Sequence, residues 1–202
     1  MDRPAVRVQL DTAQGLIEIE VQQDRVPKVA AWFFGLVATG SFDETQFFRV
    51  GHLAGQPDRP RFIEGGMLSP YILGQKGNQP RTAAEAGVPL LRDWETTADS
   101  GLRHTRGSVS FARDIFGDGS GAPDFVITMA DLPEFDHGAA NSPGRLGFPV
   151  IGYVVKGMDV VDRIGARPRD GRTYIRMLDG QLLSEPVALK RVRRIRRRAL
   201  QR

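Results

Sequence analysis

The 202-residue chain predicts a mainly-β single domain, a sandwich or a barrel, with two amphipathic helices. Three observations point there. Short apolar runs recur between loops bearing glycine and proline, only two segments have helical spacing, and a hydrophobic content of 41% suffices for one core without disulfides.

Val6, Val8 and Leu10 alternate with polar neighbours, and Leu16, Ile17, Ile19 and Val21 follow after Ala13-Gln14-Gly15, which reads as a β-hairpin. Pro27 then stands at a first helical turn, and Val29, Ala30, Trp32, Phe33, Leu36 and Val37 recur at helical spacing until Gly40. That stripe is assigned to core packing. Apolar runs at Gln46–Val50, Arg61–Glu64, Ser108–Ala112, Phe125–Met129 and Val150–Val155 read as strands. A second helix is expected over Met158–Ile164, and Val187 with Leu189 marks a last strand able to close against the first. Two aperiodic stretches, 68–94 and 131–148, are expected to be surface excursions shaping the mouth of a site.

The absence of cysteine excludes disulfides, thiolate metal sites and cysteine nucleophiles. No apolar run reaches the roughly 20 residues of a membrane helix, and Met1-Asp2-Arg3-Pro4 has no signal-peptide character. The expected compartment is cytoplasmic, or periplasmic if a signal peptide has been removed. Residues 190–202 hold eight of the 28 basic residues and no acidic one, leaving 20 basic against 24 acidic elsewhere. The domain is therefore expected over 1–189 and a basic segment over 190–202, the end of the last strand falling on either side of that boundary. A solvated charge run is its ordinary reading, and binding to an anionic surface the functional one.

Several chemistries fail on spacing. His52, His104 and His137 have no paired-histidine spacing, so no metal is expected. The Asp114–Asp124 segment lacks the acidic spacing of an EF-hand, no glycine run has a phosphate loop's lysine, and no Gly-x-Ser-x-Gly elbow exists.

Four pieces do carry information by their order: Phe47-Phe48-Arg49-Val50, Phe62-Ile63-Glu64-Gly65-Gly66, Gly107-Ser108-Val109-Ser110-Phe111-Ala112-Arg113 and Asp124-Phe125-Val126-Ile127. With the Val150–Val161 stretch and Val26-Pro27-Lys28 flanking them, they resemble the signature blocks of the cyclophilin family over residues 6–165. Trp94-Glu95-Thr96-Thr97 and Ala112-Arg113 resemble bacterial members in particular. The resemblance implies a closed eight-stranded antiparallel barrel capped by two α-helices, with a substrate groove on its outer wall. It also implies peptidyl-prolyl cis/trans isomerisation, with proline-containing peptides or unfolded proteins as partners, no cofactor and a monomeric chain.

Such an isomerase breaks no bond. An X–Pro amide prefers trans by only about 0.5–1 kcal/mol but rotates over a barrier of roughly 18–20 kcal/mol, because nitrogen donates its lone pair into the carbonyl. The site needs an apolar seat for the ring and a donor for the nitrogen of the twisted amide. By the resemblance Arg49 is the catalytic donor. Phe47 belongs to its block, Phe62, Phe111 and Phe125 wall the pocket, and Ala112 lies along the peptide with Arg113 beside it. Phe135 falls near the family's Trp-Leu pair and Phe148 at its usual histidine. Pro123 stands where the family has a glutamine two residues before the pocket phenylalanine. Glu64 replaces a glutamine that helps orient the arginine, and a carboxylate there would clamp Arg49 while lowering the charge offered to substrate. Activity is accordingly expected to be present but reduced, the alternative being a catalytically weak proline-binding or chaperone module.

Overall fold

A computed structural model describes residues 6–77, 79–114, 117–140 and 145–195. Eight antiparallel strands close into a barrel: β1 (Val6–Thr12), β2 (Gly15–Val21), β3 (Thr45–Gly51), β4 (Phe62–Gly66), β5 (Ser108–Arg113), β6 (Gly121–Thr128), β7 (Val150–Lys156) and β8 (Leu182–Ile195). Around the barrel they run β1-β2-β7-β5-β6-β4-β3-β8, so the first and last strands meet. That closing pair runs from Arg7 opposite Ile195 to Thr12 opposite Leu189. The strand thus passes position 189 and takes in the first part of the basic segment, while residues 196–202 lie outside the described residues.

Two longer helices pack on the barrel, α1 (Pro27–Ala38) and α4 (Met158–Gly165), as the spacing predicts. Short turns α2 (Ser69–Ile72) and α3 (Thr97–Ser100) lie between them in the chain. Val26, before α1, offers no side-chain cap. Glu95 does that work from another loop, its two carboxylate oxygens accepting from the Lys28 and Val29 amides at 3.0 and 3.3 Å. An anionic group at a helix N-terminus satisfies orphan N–H groups and the helix dipole together. The α3 turn carries a capping box between Thr96 and Asp99 and ends on Gly101 in the left-handed region at φ 67°.

The barrel interior holds Phe47, Val50, Ile63, Val109, Phe111, Phe125 and Ile127, covered by Phe33 of α1. Along β6 the period of two sends Phe125 and Ile127 inward and Asp124 and Val126 outward. In β3 that alternation breaks. Phe47 and Val50 face the interior, whereas Phe48 and Arg49 both face out, because the register of β3 shifts between Phe47 and Arg49 against both neighbours. A β-bulge of this kind re-aims one side chain. It places Arg49 on the outer wall although its parity with Phe47 would have turned it inward. A second register shift between Phe111 and Arg113 does the same for β5.

Candidate functional site

The bulged segment of β3 and the outward faces of β4, β5 and β6 line a groove on the barrel's outer wall. It is open as a cavity at its polar half and nearly closed over at its apolar half, where Phe62 and Val126 keep 4% and 2% exposure. Its apolar half is a cluster of Phe62, Ala112, Ala122, Val126 and Leu132, with Phe135 packed against it from the loop after β6. Phe135 meets Phe62 edge-on at 5.4 Å between ring centres, and Phe148 stacks behind Phe135 at 4.4 Å. Next to this seat is a cavity of about 90 Å³ lined by Arg49, Glu64, Ala112, Arg113 and Asp124, with Ala83 and Leu68 from the excursion 68–94. The excursion is pinned over the groove. Asp114 Oδ2 accepts from the amides of Ala83 and Ala84 at 2.9 and 3.3 Å, Leu91 bridges to Gly121, and Tyr174 donates to the Pro80 carbonyl.

Arg49 is held from two sides. Its Nη1 donates to Glu64 Oε2 at 2.7 Å, and its Nε and Nη2 both donate to Gln181 Oε1, at 3.0 and 2.7 Å. The Gln181 amide nitrogen in turn donates to the Met177 carbonyl. Among the described residues three of the five guanidinium donors are therefore fixed and two are left without a partner. The guanidinium carbon lies 5.1 Å from the centre of the Phe62 ring. The side chains of Arg49 and Glu64 keep 20% and 11% exposure, so the pair is screened little but still reaches solvent.

The structure brings Arg49, Phe62, Glu64, Ala112, Arg113 and Phe135 to this groove. Phe148 joins through Phe135. It does not bring Phe47, Phe111 or Phe125 there. All three are fully buried in the barrel interior, where Phe125 packs against Phe33, Phe42 and Phe111. The correction has one cause: in a strand, moving one residue changes the face, and the outward positions beside Phe125 are Asp124 and Val126. With Val126 as the groove's hydrophobe, the position two residues earlier is Asp124 and not Pro123. Gln181 was also missed, since it lies 132 residues from Arg49 in a loop that no signature block marks. Arg113 is not a loose solvent-facing arginine. It donates to the Gly119 carbonyl at 2.7 Å, lies over the Trp94 ring, and burial lowers its pKa.

Asp124 is fully buried. Its Oδ1 accepts from the Leu68 amide at 2.9 Å, while its Oδ2 has no partner among the described residues. Burial, reinforced by the Glu64 charge, holds its carboxyl well above the ordinary aspartate value of 3.8, against the pull of the Leu68 N–H. Among the described residues no three metal-ligating side chains converge.

Behind Phe135 and Phe148 the buried His104 contacts both rings and shares a hydrogen bond of 2.7 Å between Nδ1 and Asp136 Oδ1, while its Nε2 has no partner among the described residues. Burial lowers the His104 pKa below 6.5, with Asp136 opposing. The unfolded chain therefore binds more protons below pH 6.5, and this part of the stability is complete above 6.5 and shrinks as pH falls beneath it. Asp124 acts with the opposite sign, its raised pKa costing stability as pH rises from 3.8. The histidine's share is isolated by comparison. Thermal melts between pH 7.5 and 5 are expected to fall more steeply for the parent protein than for His104→Gln, and parallel curves would exclude His104 as the source.

Comparisons with known proteins give the family and the fold. The family model described as "Cyclophilin type peptidyl-prolyl cis-trans isomerase/CLD" matches residues 6–186. The chain is 33% identical over 161 residues to peptidyl-prolyl cis-trans isomerase A of Dickeya dadantii, covering 79% of this chain and 71% of that protein. It is 31% identical over 157 residues to the isomerase cyp18 of Streptomyces antibioticus, covering 78% and 81%. In fold it is similar to a crystal structure of a cyclophilin-type isomerase of Cryptosporidium parvum, with a TM-score of 0.64 over 96% of this chain and 99% of that one at 16% identity. A second structure of that protein, determined in the presence of the dipeptide Ala-Pro, has a TM-score of 0.62. The barrel, the ordered blocks and the family match over most of the chain place it in the cyclophilin-type peptidyl-prolyl cis-trans isomerase family.

Proposed function

We propose that the outer-wall groove isomerises X–Pro bonds of peptides and unfolded protein clients, with Arg49 as the catalytic residue. The observation that carries this reading is the guanidinium held above Phe62, with two donors left free beside an apolar seat. A proline ring resting on Phe62, Val126 and Phe135 puts its amide nitrogen under Arg49. As the amide twists, the nitrogen becomes pyramidal and accepts a hydrogen bond, so the arginine binds the transition state more tightly than either planar isomer. The donor is already oriented, which removes a reorganisation cost at the moment of reaction. No proton transfer is required. A protease-coupled assay on a short X–Pro peptide tests the reading: acceleration of the cis-to-trans phase supports it, and peptide binding without acceleration favours the alternative of a recognition or chaperone module.

One observation does favour weakened catalysis. Glu64 neutralises Arg49 at 2.7 Å, whereas Gln181 orients it without removing charge. Glu64→Gln is expected to raise kcat/KM by about threefold to tenfold, and Gln181→Leu to lower it by a similar factor through kcat. Arg113→Ala should change it less than either. Equal kcat/KM for Glu64→Gln and the parent would remove the proposed restraint.

The basic end of the chain supports a further reading as an anionic-surface contact. Lys190, Arg191, Arg193 and Arg194 are exposed along β8, with Arg194 lying 4.2 Å over the Phe34 ring.

A further inference from the structure

Two carboxylates in the groove have oxygens that the fold does not use. Among the described residues Asp124 Oδ2 is enclosed and unpartnered, and Glu64 offers Oε1, since only its Oε2 bonds Arg49. They project from neighbouring strands on the same face, Gly66 pairing with Asp124 and Glu64 with Val126. Both line the cavity of about 90 Å³ that adjoins the proline seat across Arg49 and Ala112. By volume this is several times the roughly 10–15 Å³ that admits one water, enough for the head of a long side chain. A buried acceptor without a donor costs about 1–3 kcal/mol, so a site that keeps one is expected to gain its donor from a ligand.

The cations around the cavity already have partners. Arg49 is held by Glu64 and Gln181, Arg81 at the lip by Glu85, and Arg113 by the Gly119 and Gly147 carbonyls. Asp114, the third carboxylate, is bonded by two amides of the pinned excursion. Leu68, Tyr71, Ile72 and Ala83 supply apolar walls, suited to a methylene stem.

We propose that this cavity is a selectivity subsite for a lysine or arginine side chain of the peptide, its cationic head bonded by Asp124 Oδ2 and Glu64 Oε1. The inference rests on the groove's reading as a proline-peptide site and adds a charge preference to it. An extended chain carries side chains on alternate faces, so a basic residue close to the proline reaches the cavity while the ring stays on Phe62. A bound cation also favours the ionised form of Asp124, which burial otherwise disfavours.

The test is calorimetric, so it reads binding and not turnover. Peptides with one proline and lysine, glutamine or norleucine at each of the three positions on either side are titrated into the full chain. At one position lysine is expected to bind about tenfold more tightly than norleucine, with glutamine near norleucine. Asp124→Asn, which retains the acceptor for the Leu68 amide, should bring the lysine-to-norleucine ratio close to one, and Glu64→Gln should reduce it in part. A ratio near one at every position in the parent protein overturns the proposal, as does a ratio unchanged in both variants or a glutamine peptide that binds as well as lysine. The isomerase reading fails separately, through binding without rate acceleration. If Asp124→Asn does not fold, the Glu64→Gln ratio and the glutamine peptide still decide.

Discussion

Arg49→Ala is expected to lower kcat/KM in a protease-coupled prolyl assay by about 10²- to 10³-fold, the cost of removing one preorganised donor, or about 2.7–4 kcal/mol of transition-state stabilisation. Neither of its two partners can replace it, since Gln181 and Glu64 both direct acceptor oxygens at the arginine. Arg49→Lys should recover little. An ammonium can approach one acceptor, but it lacks the planar fork that meets Glu64 and Gln181 together while leaving donors toward the substrate. The alanine variant leaves Glu64 largely enclosed and unpaired, which itself destabilises. The double variant Arg49→Ala/Glu64→Gln removes that charge and serves as the folded control. Retention of more than about a tenth of parental activity in the folded double variant would show that the rate enhancement comes from the apolar seat and the enclosure.

Phe125→Ala is expected to have the largest effect on stability, about 3–5 kcal/mol, and little specific effect on peptide affinity. The ring is fully buried and touches Phe42 at 4.6 Å, Phe111 at 5.5 Å and Phe33 at 5.7 Å between centres, so its removal opens a cavity where barrel and helix meet. Domains of this kind are stable by only about 5–15 kcal/mol, so the loss is a large fraction of the whole. The neighbouring Val126 gives the contrast: it is buried in the smaller outer cluster, so Val126→Ala should cost less stability than Phe125→Ala while raising KM. The reverse pattern, with Phe125→Ala folded normally but weak in peptide affinity, would return the phenylalanine to the groove. Urea unfolding with peptide titration separates the two outcomes.

These two residues also mark how far the sequence can be read. The hairpin through Gly15, the helix opened by Pro27 and the later strands were legible because each carries a local period and a local stop signal. The ordered blocks supplied the closed eight-stranded arrangement, which periodicity alone left open between sandwich and barrel. Arg49, Phe62 and Glu64 were legible as a group for the same reason. Facing direction was not, because it turns on single-residue parity. At Phe125 an offset of one exchanged core and groove, and the bulge between Phe47 and Arg49 makes counting by twos fail along β3. Asp124 lies in a block whose pattern marks no role for it, and Gln181 belongs to no period at all. The α3 turn carries a local signal, Thr96-x-x-Asp99 followed by Gly101, but its four residues are too few for a hydrophobic stripe.

The pairing of β1 with β8 has a consequence for synthesis. Translation at about 5–20 residues per second separates the emergence of Val6 from that of Ile195 by roughly 10–40 s. Through that interval β1 can pair with β2 but has no partner on its other edge, and an open edge is a template for pairing with other chains. The nascent barrel therefore depends on its final strand for protection, and Arg191, Arg193 and Arg194 lie in the segment that seals it. Trimming the chain before residue 191 would do more than remove charge. It would leave the β1 edge open for the lifetime of the protein, and such a product is expected to associate through that edge.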